Sequence, residues 1–365
     1  MVRVAQQLLK IQPYQAGKPI EELAREFGID PANIVKMASN ENPLGMSQRA
    51  RLNALDAVQA STLYPDANGF DLKAALGQRF DVPQSWITLG AGSSDILELI
   101  ASAFLTAGRS AVSSQYAFSV YAQATLRTGA ESIVVGAKDF GHDLEAISNE
   151  IREDTTVVFV ANPNNPSGTY LPSGRLETFI AGLRSDVLVV LDEAYREYLA
   201  PELQYDSVAW VSRYPNVIVT RTFSKAYGLA GLRVGYSISS PAVAETLNRI
   251  RPAFNVSNVA QAAAIGALQD QDFREQTFQF NRLGLAQLSA GLRTLAVPYV
   301  ESYGNFILAR FGGRTPRINA YLLRRGVIVR PVDGYGLGDW LRISVGLPGQ
   351  NALFLEMLGS ALIES

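Results

Sequence analysis

The sequence predicts an α/β protein: a large domain built on a mostly parallel sheet, followed by a smaller α+β domain. Three observations point there. Short apolar runs rich in β-branched residues alternate with stretches of helical periodicity, the pattern of parallel strands covered on both faces. At 365 residues the chain exceeds the roughly 250 at which one core stops growing. Beyond Pro252 the texture changes to a long helical region, two strand-like runs and a closing helix.

In chain order, the first ~35 residues carry few sheet signals and include the turn-prone QPYQAGKP, so residues 1–35 read as an arm or as part of the small domain. Residues 36–251 form the large domain. It opens with the strand-like WITL and a helix over 94–105 (SDILELIASAFL), then a second helix over 116–129. Strands follow at 132–135 and 155–160, a helix at 176–184, then strands at 187–191, 217–220 and 234–238. A helix is expected from Ala242 into the alanine-rich stretch around Ala260. In the small domain, residues 252–365, strands are expected at 299–311 and 326–332, with the last helix from Asn351.

Composition narrows the function. Hydrophobic residues make up 47% and charged residues 18%, as in an ordinary globular enzyme. Net charge is -2 and no Lys/Arg block exceeds a pair, so no nucleic-acid partner is expected. Cysteine is absent, which excludes disulfides and thiolate chemistry, and His142 is the only histidine, which nearly excludes a histidine zinc site. No run reaches ~18 uninterrupted apolar residues, and the start lacks a cleavable leader pattern. A cytoplasmic protein without membrane or metal is the simplest reading.

Four segments carry candidate chemistry. Asp192 ends the run VLVVL and is followed by Glu193, Ala194 and Tyr195, at the carboxyl end of a strand where ligands of parallel sheets gather. Alone, Asp192 would pass for a helix cap. After the run NVIVT come Thr222, Phe223, Ser224 and Lys225, with Arg233 eight positions beyond the lysine. Hydroxyls and a guanidinium bind oxyanions while an amine condenses with an aldehyde, so this group suits a phosphate clamp beside a Schiff base. Third, Gly92, Ser93 and Ser94 open a helix, whose free N–H groups favour an anion; GAGSSD is neither a Walker loop nor GxGxxG. Fourth, the loop NPNNPSGT follows the run TTVVFV, and its Asn165 can face the same ligand as Asp192.

Together NPNNPSGT, LDEAY and TFSKAYGLAGLRVGY, in this order, resemble the signature series of the class I/II aminotransferases. The resemblance extends from YQAGKP near Tyr14 and SNENPLG near Asn42, through YPD at Tyr64, to LRISVGLP at Arg342, and within the class it is closest to the histidinol-phosphate aminotransferases. It implies the aspartate-aminotransferase-like fold, fold type I, with a mostly parallel seven-stranded sheet. It also implies pyridoxal 5'-phosphate held by Lys225, a homodimer with shared sites, and small-molecule substrates. The implied reaction is transamination between L-histidinol phosphate and 2-oxoglutarate. Aromatic aminotransferases are the nearest competitor and a threonine-phosphate decarboxylase-like lyase a more distant one.

The residue roles implied are specific. Lys225 shuttles the proton, Asp192 pairs with the pyridine nitrogen, and Asn165 and Tyr195 hold the ring's phenolic oxygen. Phe118 stacks on the ring. Gly92, Ser93, Ser94, Thr222, Ser224 and Arg233 hold the phosphate, with Tyr64 reaching the neighbouring subunit's phosphate. Arg342 binds the substrate's anionic group, joined by Arg330, Tyr14 and Asn42. Ala91, Ser94 and Phe118 depart from residues frequent in relatives without touching a catalytic group.

Overall fold

The computed structural model describes residues 2–11, 13 and 17–364. Its centre is a seven-stranded sheet in the order Ile87–Gly90, Gly235–Ser239, Val217–Thr222, Leu188–Asp192, Thr155–Ala161, Ser110–Ser114, Glu131–Val135. All neighbouring pairs are parallel except the two made by Gly235–Ser239. The strand Leu188–Asp192 is buried along its whole length because helices cover both faces, which is why its sequence is an unbroken apolar run. Val189 and Leu191 face one core, which continues through Leu72, Leu176 and Phe179; Val190 faces another, built on Ile96, Leu97, Ile100 and Tyr121. That alternation is the two-residue period of a strand between two helical layers.

A separate core lies around a four-stranded sheet ordered Arg330–Pro331, Trp340–Ser344, Phe306–Arg310, Tyr299–Val300. Ile307, Ala309, Leu341 and Ile343 pack there against Leu288 and Leu292 of the helix Gln271–Thr294 and Phe354 and Leu358 of the helix Pro348–Glu364. The helix Asn258–Gln269 instead sends Ala260, Ala263, Ala264 and Ala267 into the core of the large sheet.

Several expected elements differ. The helix from Ala242 toward Ala260 is two helices, Pro241–Ile250 and Asn258–Gln269: Pro252 cannot continue the first, and the Ser257 hydroxyl caps the second at Ala260 N. The helix expected over 116–129 is confined to Val120–Arg127. The run 299–311 breaks into Tyr299–Val300 and Phe306–Arg310, and 326–332 into Val327–Ile328 and Arg330–Pro331, whose partners lie in different sheets. Strand Ser110–Ser114 was not expected, since SAVSS is three-fifths serine; Ser110 Oγ meets Thr155 Oγ1 at 2.9 Å, while the buried Ser114 Oγ has no partner. The opening segment contains the helix Ile20–Phe27, whose Leu23 packs on Ile328, and the strand Val35–Lys36 paired with Val327–Ile328. Among the described residues no helix is long and apolar enough to cross a membrane.

Residues 36–42 form a strap between the seven-stranded and four-stranded sheets. Ala38 O accepts from Arg342 Nη2 (2.8 Å), Asn40 N and Oδ1 bond Ser344 Oγ (both 2.8 Å), and Ser39 O accepts from Lys225 Nζ (3.0 Å). Asn305 Nδ2 donates to Asn40 O at 3.0 Å, so the strap's backbone polar groups are paired where they pass through the interior.

Candidate active site

A cavity of ≈ 430 Å³ opens where the strands Thr155–Ala161, Leu188–Asp192 and Val217–Thr222 end, beside the first turn of the helix Ser93–Phe104. Arg330 and Arg342 of the four-stranded sheet and Tyr335 of the turn Asp333–Tyr335 between them contribute its wall on one side, and Ser39, Asn40 and Glu41 contribute from the strap. A crevice outside the carboxyl ends of parallel strands is where such sheets bind ligands.

Lys225 and Asp192 both line it. Burial, followed by the positive charge of Arg342, lowers the Lys225 pKa to about 8 despite the opposing pull of Glu41, so near neutrality a useful fraction of the amine is uncharged. Asp192 is 4% exposed, and burial raises its pKa. Its Oδ2 accepts from the Tyr121 hydroxyl at 2.7 Å, while the buried Oδ1 has no partner. Tyr195 accepts from Asn40 Nδ2 at 2.9 Å, and burial pushes its phenol up to about 12, so it remains a donor.

At the helix start the residues draw together as a cradle. Thr222 Oγ1 donates to Ser224 Oγ (2.9 Å) and accepts from Ser224 N (3.1 Å); Arg233 Nη1 donates to the same Ser224 Oγ (3.2 Å) and Nη2 to Ala91 O (3.2 Å). Gly92 caps the helix at φ 90° without a side-chain bond, and a Cβ there would lie 2.4 Å from Arg233 Nη2. Only glycine lets the guanidinium lie this close to the helix's unpaired N–H groups, where the dipole also favours an anion.

Asn165 and Phe118 line the cavity as well. Asn165 Oδ1 accepts from Arg342 Nη1 at 2.5 Å, which leaves its amide nitrogen as the donor. Its neighbours in the loop serve the turn: Asn162 bonds both backbone groups of Leu171, and Asn164 holds Ser167 Oγ. Arg330 stands opposite Arg342 in the strand register.

Two expected ligands lie elsewhere. Asn42 does not line the cavity: its amide donates to Ala226 O (2.9 Å) and Thr277 Oγ1 (3.2 Å) and accepts from Leu44 N, so it braces the segment after Lys225. Tyr64 is 82% exposed, stacked on Phe254 at 4.6 Å, and contributes nothing to the cavity of its own chain. Tyr14 lies outside the described residues. His142 is buried against Ala161 O (2.9 Å) and does not line the cavity. Tyr121, Asn40 and Tyr335 went unnoticed in the sequence; Tyr121 lies on the helix Val120–Arg127, where a tyrosine reads as core.

The fold and the site define an α/β enzyme whose cleft sets a partly neutral lysine near a buried carboxylate and an anion cradle. Residues 32–357 match the family model described as aminotransferase class I and II, and the chain belongs to that family. Within it, the particular branch is that of the histidinol-phosphate aminotransferases. The chain is 56% identical over 355 residues to histidinol-phosphate aminotransferase 1 of Cupriavidus pinatubonensis, covering 96% of this chain and 94% of the relative. It is 54% identical over 358 residues to histidinol-phosphate aminotransferase 2 of Ralstonia nicotianae, covering 97% and 96%. The crystal structure of histidinol-phosphate aminotransferase from Sinorhizobium meliloti in complex with pyridoxal-5'-phosphate superposes with a TM-score of 0.92 at 27% identity, over 100% of this chain and 98% of that one. The expected aspartate-aminotransferase-like fold is thereby borne out.

Proposed function

We propose that the protein is a pyridoxal-phosphate-dependent transaminase converting L-histidinol phosphate and 2-oxoglutarate to imidazole-acetol phosphate and L-glutamate, in histidine biosynthesis. The observation that carries this reading is the pairing of Lys225, its amine lowered to about 8, with Asp192, whose buried Oδ1 lacks a partner. An orphaned buried carboxylate oxygen is costly unless a ligand satisfies it, and a protonated ring nitrogen would do so. The cradle of Ser93, Ser94, Thr222, Ser224 and Arg233 fits the cofactor's phosphate in the same way, with Gly92 keeping the approach open.

Pyridoxal phosphate, when bound, supplies an electron-poor ring that accepts the electron pair left when a substrate carbon loses its proton. The chain supplies the rest. Lys225 Nζ takes the proton from the donor's carbon and redelivers it, which its lowered pKa permits near neutral pH. Among the residues lining the cavity, Asp192 would hold the ring nitrogen by its negative charge, Asn165 Nδ2 and the Tyr195 hydroxyl would donate to the ring's oxygen, and Phe118 would pack against the ring. Arg342, joined by Arg330, receives the phosphate of histidinol phosphate in one half-reaction and a carboxylate of glutamate in the other; a guanidinium fork suits both anions.

The relatives' names support this substrate over an aromatic amino acid or a phosphothreonine decarboxylation. The reading includes a homodimer with shared sites, for which the exposed Tyr64 supplies the reaching side chain, and a cytoplasmic location goes with the biosynthetic role. The test is a half-reaction. Cofactor-loaded protein is mixed separately with L-histidinol phosphate, L-glutamate and L-phenylalanine, and the visible absorbance of the cofactor is followed. Fast conversion by the first two with phenylalanine slow is expected; the reverse ranking would make the enzyme an aromatic aminotransferase.

A further inference from the structure

Asp192 is held from one side. Its Oδ2 takes the Tyr121 hydroxyl at 2.7 Å, and its Oδ1, equally withdrawn from water, takes nothing. Tyr121 is 1% exposed and has little freedom: its ring stacks on Phe159 at 4.8 Å with planes 5° apart and meets Phe118 edge-on at 5.9 Å. Phe159 belongs to the strand beside that of Asp192, so one element positions both ends of the bond. The phenol is a fixed donor, because burial raises its pKa well above 10.

We propose that Tyr121 is a positioning residue for the transamination: by donating to Oδ2 it fixes the carboxylate's rotation and keeps it anionic, so that Oδ1 alone is presented to the cofactor's ring nitrogen. The inference rests on the proposed cofactor. Its electrostatic side follows from what surrounds Asp192. Burial drives its pKa up and Glu193, next in the chain, adds to that; the Tyr121 bond is the largest influence opposing them, followed by the Thr220 hydroxyl and the Ala194 backbone N–H. The other titratable groups that face it are Tyr195, after the same strand, and Lys225, after the neighbouring one. Without the phenol, Oδ2 is a second buried oxygen without a partner, and taking up a proton becomes the cheapest way to relieve it. A protonated carboxyl can no longer offset the positive charge of the ring nitrogen, so the defect grows as pH falls.

Tyr121→Phe preserves the ring packing and removes only the donor. Apo-protein is titrated with pyridoxal phosphate between roughly pH 6 and pH 8, and kcat and KM for L-histidinol phosphate are measured; about a tenfold loss of cofactor affinity at the upper pH, widening toward the lower, and about a tenfold fall in kcat with little change in KM are expected. Wild-type cofactor affinity at every pH with unchanged kcat would overturn the proposal. So would a pH-independent loss accompanied by a lower melting temperature of the apo-protein, since that marks a packing role. If the wild-type apo-protein itself fails to bind pyridoxal phosphate, the proposed cofactor falls, and this inference with it.

Discussion

Lys225 and Asp192 are each pressed by burial toward their neutral forms, the lysine downward and the carboxylate upward. For the lysine the consequence has a definite sign. Only the neutral amine attacks an aldehyde, and it predominates above its pKa, so uptake of pyridoxal phosphate by the apo-protein should accelerate with pH and level off above about 8. An ordinary lysine at about 10.4 would keep accelerating past pH 10. Stopped-flow absorbance at a series of pH values checks this, and a rate still climbing beyond pH 10 would contradict it. Both residues were legible in the sequence because Asp192 ends a strand and Lys225 closely follows one, each within a dense motif. Tyr121 was not, since a tyrosine on a helix reads as core until its hydroxyl is seen to meet a carboxylate 71 positions away.

At the scale of elements, the loop after Lys225 is fixed by how closely it packs on the strap's continuation. Gly228 has φ 70°, and a Cβ there would lie 1.9 Å from Gly45 O and 2.5 Å from Gly45 C. Backbone cannot yield as a side-chain tip can, so Gly228→Ala combines a strained conformation with displacement of one segment. A loss of about 2–4 kcal/mol in urea unfolding is expected, together with weaker cofactor retention; a change within about 0.5 kcal/mol would show that the segments slide apart freely. Most elements of the large sheet were legible because buried parallel strands are apolar throughout. The two elements misjudged show the limits of periodicity: SAVSS hides a buried strand behind three serines, of which Ser110 is paired with Thr155, and 326–332 conceals a change of sheet that only the pairing partners Val35 and Arg342 reveal.

The molecule is built around a seven-stranded and a four-stranded sheet, and the cavity takes its walls from the sides of both. Asn42 and Tyr64 show what a single sequence cannot separate, because a motif residue can serve a ligand, a neighbouring loop or another chain. Asn42 braces Ala226, whereas Tyr64 stands 82% exposed beside the exposed Leu63. If Tyr64 acts on the site of a second copy, two defective variants should repair each other. Mixing Lys225→Ala with Tyr64→Ala protein under conditions that exchange subunits should restore activity toward about a quarter of native sites, because half of the dimers are mixed and each of those carries one intact site. No recovery despite exchange, followed by native mass spectrometry, would place Tyr64 in service of its own chain.

The strap sets a timetable for synthesis. Asn40 leaves the ribosome 304 residues ahead of its partner Ser344, and the carbonyl of Ala38 waits equally long for Arg342. At roughly 5–20 residues per second, the nascent chain spends about 15–60 s with one wall of its cavity made and the other not yet translated. The large sheet can assemble in that interval, but a cofactor pocket closed on both sides forms only once Arg342 and Ser344 have been translated.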